Sequence, residues 1–166
     1  DKLFINYDDQ YLQKLDGVKI SIINDKADYY AKNIDLSGEG TTFILNDKAK
    51  LTTNLIGEHN ILNLLFGLAL CKEFGIGEEE LSNEIKNIKL TDMRFQKIEF
   101  ENIIYINDAY NASPLSMEKA ILTFSEIYND RYKIVVLGDM LELGEKKFEF
   151  HEDLEKLLRN TKQDEI

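Results

Sequence analysis

The spacing of hydrophobic positions changes near residue 57. Before that point, short apolar runs with loose alternation predict strands at residues 18–23, 29–36 and 41–45, and one or two helical turns at 8–15. None of these runs gathers ligating or catalytic side chains. The first part of the chain is therefore expected to be a small β-sheet that serves as a scaffold.

After residue 57 the apolar positions recur every three or four residues, which indicates amphipathic helices. A long helix is predicted between Gly57 and Gly75, and a shorter one begins at residues 78–80. The buried side of the long helix is expected to comprise Leu62, Leu65, Phe66, Ala69, Leu70 and Phe74. Strand patterning returns after Thr91, so we expect two domains, residues 1–91 and 92–166.

The second predicted domain alternates between strands and helices. The pattern predicts strands at 95–100 and 103–106 around a tight turn, the second of them buried. It also predicts a helix at 114–128, a buried strand at 133–137 and a last helix near 148–159 that buries Phe148. Strand, helix and strand in this order imply parallel pairing with a right-handed crossover. The polar residues after each buried strand should then lie at one edge of an α/β sheet.

Composition narrows the classes of function. Twenty Lys and Arg against 31 Asp and Glu leave a formal charge of −11, and without a basic stripe a nucleic-acid partner is not expected. No apolar run approaches the roughly 18 residues of a membrane span. Cys71 is the one cysteine, which favours a reducing compartment. We expect a cytoplasmic monomer without a membrane partner.

Amide side chains stand at the start of the long helix. His59, Asn60 and Asn63 fall in its first turns, and an amide offers both donor and acceptor, as the edge of an adenine base requires. The alternative is structural, with Asn60 capping the helix and His59 filling a hydrogen-bonded pocket. The spacing alone favours this structural interpretation.

A second polar group follows the strand at 103–106. Asp108, Tyr110 and Asn111 occupy the strand-to-helix loop, where α/β folds bind ligands. His151 either contacts the loop at 138–144 or lies at the surface. The sequence contains no phosphate loop, dinucleotide fingerprint, zinc spacing or nucleophile elbow. The residues alone thus indicate a ligand-binding edge with no catalytic group and no metal site.

Four motifs in this order resemble the ATP-dependent Mur ligases. They are GEHNILN at 57–63, MRF at 93–95, NDAYNASPLSM at 107–117 and LGDMLELG at 137–144, with His151 beyond. The resemblance implies the end of a central ATPase domain, a small β-sheet plus helices, followed by the first half of a Rossmann-like C-terminal domain. Ser113 and Leu115 depart from the Asn and Asp that relatives often carry.

Within the family, the motifs are most similar to those of the ligase that joins D-alanyl-D-alanine to UDP-MurNAc-tripeptide through an acyl phosphate. The resemblance therefore implies ATP and Mg²⁺ as cofactors and these two small molecules as substrates. It implies ATP-binding roles for His59, Asn60, Asn63, Arg94, Asp108 and Tyr110. The resemblance also implies that three further residues face the D-alanyl-D-alanine substrate, namely Asn111, Asp139 and Glu142.

The phosphate loop and the magnesium ligands of the family have no counterpart in this sequence. The chain is therefore expected to be an internal fragment without ligase activity of its own, with those parts encoded outside it. Two alternatives stay open. One is another ligase of the superfamily, of the folylpolyglutamate synthase type, and the other is a non-catalytic nucleotide-binding α/β module; a phosphate loop upstream would favour a ligase.

Overall fold

The computed structural model describes residues 2–88 and 91–166, which belong to two compact units. Unit 1 is Asp1–Ile88 and unit 2 is Lys89–Ile166. The boundary predicted from the pattern, after Thr91, stays a prediction.

Unit 1 contains a five-stranded mixed sheet. Its strands are β1 (Phe4–Asn6), β2 (Val18–Ser21), β3 (Tyr29–Ser37), β4 (Gly40–Leu45) and β5 (Ala49–Thr53), and they lie in chain order. The first three strands are parallel and the last three antiparallel. The three predicted strands are confirmed, and a single 3₁₀ turn at Leu12–Lys14 occupies the predicted helical segment.

Two helices follow the sheet, α1 (Glu58–Glu73) and α2 (Glu78–Glu84), and a 3₁₀ turn at Ile85–Asn87 ends unit 1. The buried side of α1 consists of Ile61, Leu64, Leu65, Leu68 and Ala69. The predicted face was wrong in part, because Leu70 and Phe74 are 48% and 79% exposed. The stripe that packs on the sheet starts at Ile61, one residue earlier than predicted, and this rotates the whole face.

Unit 2 begins with a β-hairpin and continues with two helices. The elements are β6 (Gln96–Phe100), β7 (Ile103–Asn107), α3 (Pro114–Glu126), a 3₁₀ turn at Gly144–Lys146 and α4 (Lys147–Asn160). A capping box between Ser113 and Ser116 starts α3. Ile121, Val135 and Leu158 form the core between the helices.

The predicted burial of the strand at 103–106 was wrong. β7 pairs only with β6 among the described residues, and Ile103 and Tyr105 are each 52% exposed. A two-stranded ribbon covers a smaller part of its side chains than a layered sheet does. Phe148, predicted to be buried, is 79% exposed because Leu158 with Leu154 and Leu157 forms the packing face of α4.

The predicted strand at 133–137 does not form. Within the described residues its one ladder contact is an isolated parallel bridge between Ile134 and Glu165. Val135 packs into the core, whereas Val136 is 90% exposed. An apolar run becomes a buried strand only with paired neighbours on both sides, and the described residues supply one partner residue. Within the part of the chain that the structure describes, the predicted parallel crossover and the common sheet edge for the two polar loops are therefore not formed.

Candidate functional site

Gly57 sets the start of α1. Its φ of 101° lies in a region that favours glycine, and its carbonyl accepts hydrogen bonds from the backbone N–H groups of Asn60 at 3.0 Å and Ile61 at 3.2 Å. The residue at the N-cap is thus Gly57, which has no side chain to cap the helix. The structural interpretation in which Asn60 caps α1 was therefore wrong.

The first turns of α1 instead present two amides. Asn60 is half-buried, and its Nδ2 donates to the carbonyl of Ile56 at 2.8 Å. Among the described residues, the second amide hydrogen and the carbonyl oxygen of the Asn60 side chain have no further partner, so both are available to a ligand. Asn63 lies one turn later and is exposed, while His59 is half-buried. The two amides therefore lie on neighbouring positions of one helix face.

In unit 2 the hairpin register brings two loops together. β6 pairs antiparallel with β7, and the pair farthest from the turn is Gln96 with Asn107. The next positions outward are Phe95 and Asp108, so they face each other. The backbone N–H of Phe95 donates to Asp108 Oδ1 at 2.9 Å. Asp108 thus holds the segment before β6 with one oxygen.

Arg94 lies in a loop that is fixed on both sides. Its neighbours Met93 and Phe95 both have left-handed backbones, with φ of 63° and 48°. Gln96 Oε1 accepts from the N–H of Met93 at 3.1 Å, and the N–H of Tyr110 donates to the Met93 carbonyl at 3.1 Å. Non-glycine residues hold this conformation only where surrounding contacts determine it.

The Arg94 side chain stacks on Tyr110. The guanidinium carbon lies 4.1 Å from the centre of the ring, and the tyrosine is 60% exposed. Such a contact contributes about 0.5–1 kcal/mol at exposed sites and leaves the N–H groups of the guanidinium at the edge of the stack. Among the described residues Arg94 has no ion-pair partner, so its charge remains available to an anion.

A second cluster joins the loop after residue 137 to α4. Asp139 Oδ1 lies 2.7 Å from His151 Nε2, and Asp139 Oδ2 lies 3.0 Å from Lys147 Nζ. The hydrogen bond from Lys147, and a further one from His151, hold the pKa of Asp139 below its ordinary value against the opposing effect of burial. Both oxygens of this carboxylate are therefore engaged.

The other residues predicted on the dipeptide side are Asn111 and Glu142. Asn111 Oδ1 accepts from the backbone N–H of Ala112 at 2.9 Å, which shapes the loop before α3. Glu142 is exposed and has a φ of 60°. Within residues 2–88 and 91–166 there is no group of three potential metal ligands, and no helix is long and apolar enough to cross a bilayer.

Two domain families match most of the chain. Residues 1–71 match the Mur ligase middle domain, and residues 93–166 match the glutamate ligase domain of Mur ligases. The chain belongs to the Mur ligase family. The α/β fold expected from the resemblance is confirmed by this match.

Relatives of this Mur ligase chain include proteins named UDP-N-acetylmuramoyl-tripeptide–D-alanyl-D-alanine ligase. The Bacillus subtilis protein is 34% identical over 141 residues, which are 84% of this chain and 31% of that protein. A MurF crystal structure from Acinetobacter baumannii has a TM-score of 0.79 at 26% identity and covers 88% of this chain and 32% of its own.

A MurF ligase from Thermotoga maritima, solved in complex with ADP, shares the fold with a TM-score of 0.81. It is 23% identical and covers 95% of this chain and 38% of its own. This Mur ligase chain spans about a third of the length of the curated relatives that it matches, with shares of 31%, 33% and 30%.

The structure thus brings together Arg94, Asp108 and Tyr110 within unit 2 of the Mur ligase chain. Of the two alternatives for His151, contact with the loop at 138–144 is confirmed by its 2.7 Å approach to Asp139, whereas sequence reasoning missed the second contact, from Lys147. Their spacing was the available signal, because residues four apart share a helix face.

Proposed function

We propose that this chain is part of an ATP-dependent ligase that joins D-alanyl-D-alanine to UDP-MurNAc-tripeptide through an acyl phosphate. The reaction belongs to peptidoglycan precursor synthesis, in the cytoplasm. The observation that carries the proposal is the cluster of Arg94, Asp108 and Tyr110, which two adjacent loops of unit 2 bring together, in a chain whose relatives bear the name of this ligase. The phosphate loop and the magnesium ligands are proposed to lie outside this chain.

The three residues of unit 2 suit a nucleotide. Arg94 presents a permanent positive charge with a planar set of donors, which matches a phosphate group. Asp108 uses Oδ1 for the N–H of Phe95, and its other oxygen has no hydrogen-bond partner among the described residues. That oxygen can accept from a ribose hydroxyl. We assign Tyr110 to the nucleotide as well, where it stacks with Arg94.

The amides of unit 1 suit a purine base. Asn60 keeps one donor and one acceptor after its bond to Ile56, and this is the pair that the amino and ring nitrogen edge of adenine requires. We assign Asn63 to the same base, with His59 in support. When bound, ATP supplies the phosphoryl group that activates the carboxylate. The protein residues named here bind and orient it, and none is proposed as a general base.

The proposal is tested with the complete protein that contains this chain. Release of ADP is measured first with both UDP-MurNAc-tripeptide and D-alanyl-D-alanine present. It is then measured with each of the two substrates left out in turn. Release that requires both substrates is expected. Turnover with a folate and glutamate in their place would assign the protein to the folylpolyglutamate type, and absence of any substrate-dependent ADP release would favour a non-catalytic module.

Variants at Asp108 separate nucleotide binding from packing. Asp108→Asn keeps an acceptor for the N–H of Phe95 but loses the charge, so we expect the KM for ATP to rise about tenfold with an unchanged melting temperature. Asp108→Ala should raise the KM further and also loosen the loop. Glu118→Gln, at an exposed position of α3, is the matched control. An unchanged KM for ATP in both variants would assign Asp108 to packing.

A further inference from the structure

One carboxylate connects the loop after residue 137 to the first turns of α4. Lys147 and His151 are four residues apart and reach the two oxygens of Asp139 from the same helix face. A carboxylate whose two oxygens are each held by a side chain of the same helix is fixed in direction as well as position. Its lowered pKa agrees with this, because a bound carboxylate gives up its proton more readily.

The ring of His151 makes a contact at each nitrogen. Nδ1 lies 2.7 Å from the carbonyl oxygen of Lys147, and Nε2 lies 2.7 Å from Asp139 Oδ1. Both neighbours are acceptors, so the two contacts are satisfied together only when both nitrogens carry hydrogen. An unprotonated Nε2 would instead accept a hydrogen bond from the backbone N–H of Met140, but at 3.4 Å this is the longer and weaker contact. The geometry therefore favours donation from Nε2 to the carboxylate.

The loop is anchored at its start and turns sharply at its end. Met140, the residue after Asp139, is fully buried. Glu142 and Gly144 both have left-handed backbones, with φ of 60° and 61°. Leu141 lies between the anchor and this turn and is 70% exposed. The contacts of Asp139 and Met140 thus determine where the exposed part of the loop, residues 141–143, lies on unit 2.

We infer that His151 is a positioning residue, which together with Lys147 holds Asp139 and so orders residues 141–143 for binding of the incoming D-alanyl-D-alanine. The inference rests on the proposed function and on the D-alanyl-D-alanine side that the family resemblance implies for Asp139 and Glu142. Asp139 then acts by ordering the loop and not by contact with the dipeptide. His151 has no role in binding ATP.

The contact itself is tested in the present chain by long-range ¹H–¹⁵N spectra of the two histidine rings near neutral pH. His151→Gln identifies the His151 signals. We expect a protonated Nε2 whose shift changes in Asp139→Ala and stays unchanged in Glu152→Gln, an exposed neighbour on α4. A deprotonated Nε2, or a shift that does not respond to Asp139→Ala, would overturn the inference. This result does not depend on the ligase assignment.

The role is tested in the complete ligase. His151→Leu removes both donors, and we expect the KM for D-alanyl-D-alanine to rise roughly 10- to 100-fold while the KM for ATP stays within about twofold. His151→Gln, whose amide nitrogen can reach Asp139 from the position of Nε2, should restore most of the affinity. Melting temperatures identify a variant that fails to fold. If His151→Leu fails to fold, the KM for D-alanyl-D-alanine is compared between His151→Gln and Glu152→Gln.

Two kinetic results would contradict the inference. One is an unchanged KM for the dipeptide in His151→Leu, and the other is an equal rise in the KM for ATP. If the unaltered enzyme does not use D-alanyl-D-alanine, the proposed function fails, whereas the imidazole spectra still report whether His151 holds Asp139.

Discussion

Lys133 places a cation at the end of α3, and its removal should destabilise unit 2. The side chain is 4% exposed, and Nζ donates to the carbonyls of Phe124 at 3.1 Å and Ser125 at 2.8 Å and to Asn129 Oδ1 at 3.4 Å. The last carbonyls of a helix have no partner within the helix, and the helix dipole favours a cation there. Burial, with a smaller contribution from Lys162, lowers the pKa of Lys133.

Lys133→Met keeps most of the aliphatic stem and removes the ammonium group. Two carbonyls at the end of α3 then lose a charged donor, and a hydrogen bond to a charged group contributes about 1.5–3 kcal/mol. The desolvation of the ammonium, visible in its lowered pKa, offsets part of this loss. We therefore expect the free energy of unfolding of unit 2 to fall by about 2 kcal/mol.

The measurement follows backbone amide signals of α3 and α4 during urea unfolding at neutral pH, because these signals report on unit 2 alone. Lys162→Met, at an exposed position, is the matched control and should change the free energy of unfolding by less than about 0.5 kcal/mol. A Lys133→Met variant as stable as the unaltered chain would show that water replaces the ammonium at these carbonyls, and the reasoning would fail.

Three further effects are expected. Gly57→Ala should lower the free energy of unfolding of unit 1 by about 1–2 kcal/mol, since alanine is strained at a φ of 101°. Urea unfolding, monitored through the backbone amide signals of α1, checks this. Ser113→Ala removes the cap of α3 and should lower the free energy of unfolding of unit 2 by about 1 kcal/mol. An unchanged midpoint of urea unfolding would argue against the capping box. Because the pKa of Asp139 is lowered, its ionised carboxylate stabilises the folded state at pH values above the ordinary pKa of 3.8, and this stabilisation is lost as the pH falls through the pKa of the folded state. Carboxyl ¹³C shifts should show this carboxylate titrating below pH 3.8.

Local patterns predicted most of the elements but not their burial. The strands β3 and β4 and the hairpin around Glu101 follow from alternation and turn spacing, which depend on neighbours in sequence. β1 was missed because it has only three residues, and β5 because Leu51 is its one large apolar residue, too few to show the alternation. The run at 133–137 has the composition of a buried strand, yet burial depends on partner strands, which composition does not report.

The candidate site was predictable where it follows from register. Once the turn at Glu101 and Asn102 is placed, the pairing of β6 with β7 puts Phe95 opposite Asp108, so their contact could have been read from the sequence. The stacking of Arg94 on Tyr110 could not, because it depends on left-handed backbones at Met93 and Phe95 that no residue type there favours.

The pairing of the hairpin has a consequence for how this segment can change during evolution. Inserting or deleting a single residue in β6 or β7 would turn each later side chain to the opposite face, and Asp108 would no longer face Phe95. Replacing exposed side chains such as Ile98 or Tyr105 leaves the hydrogen-bonded ladder intact. We therefore expect homologous hairpins to differ freely in these side chains while keeping the same number of residues.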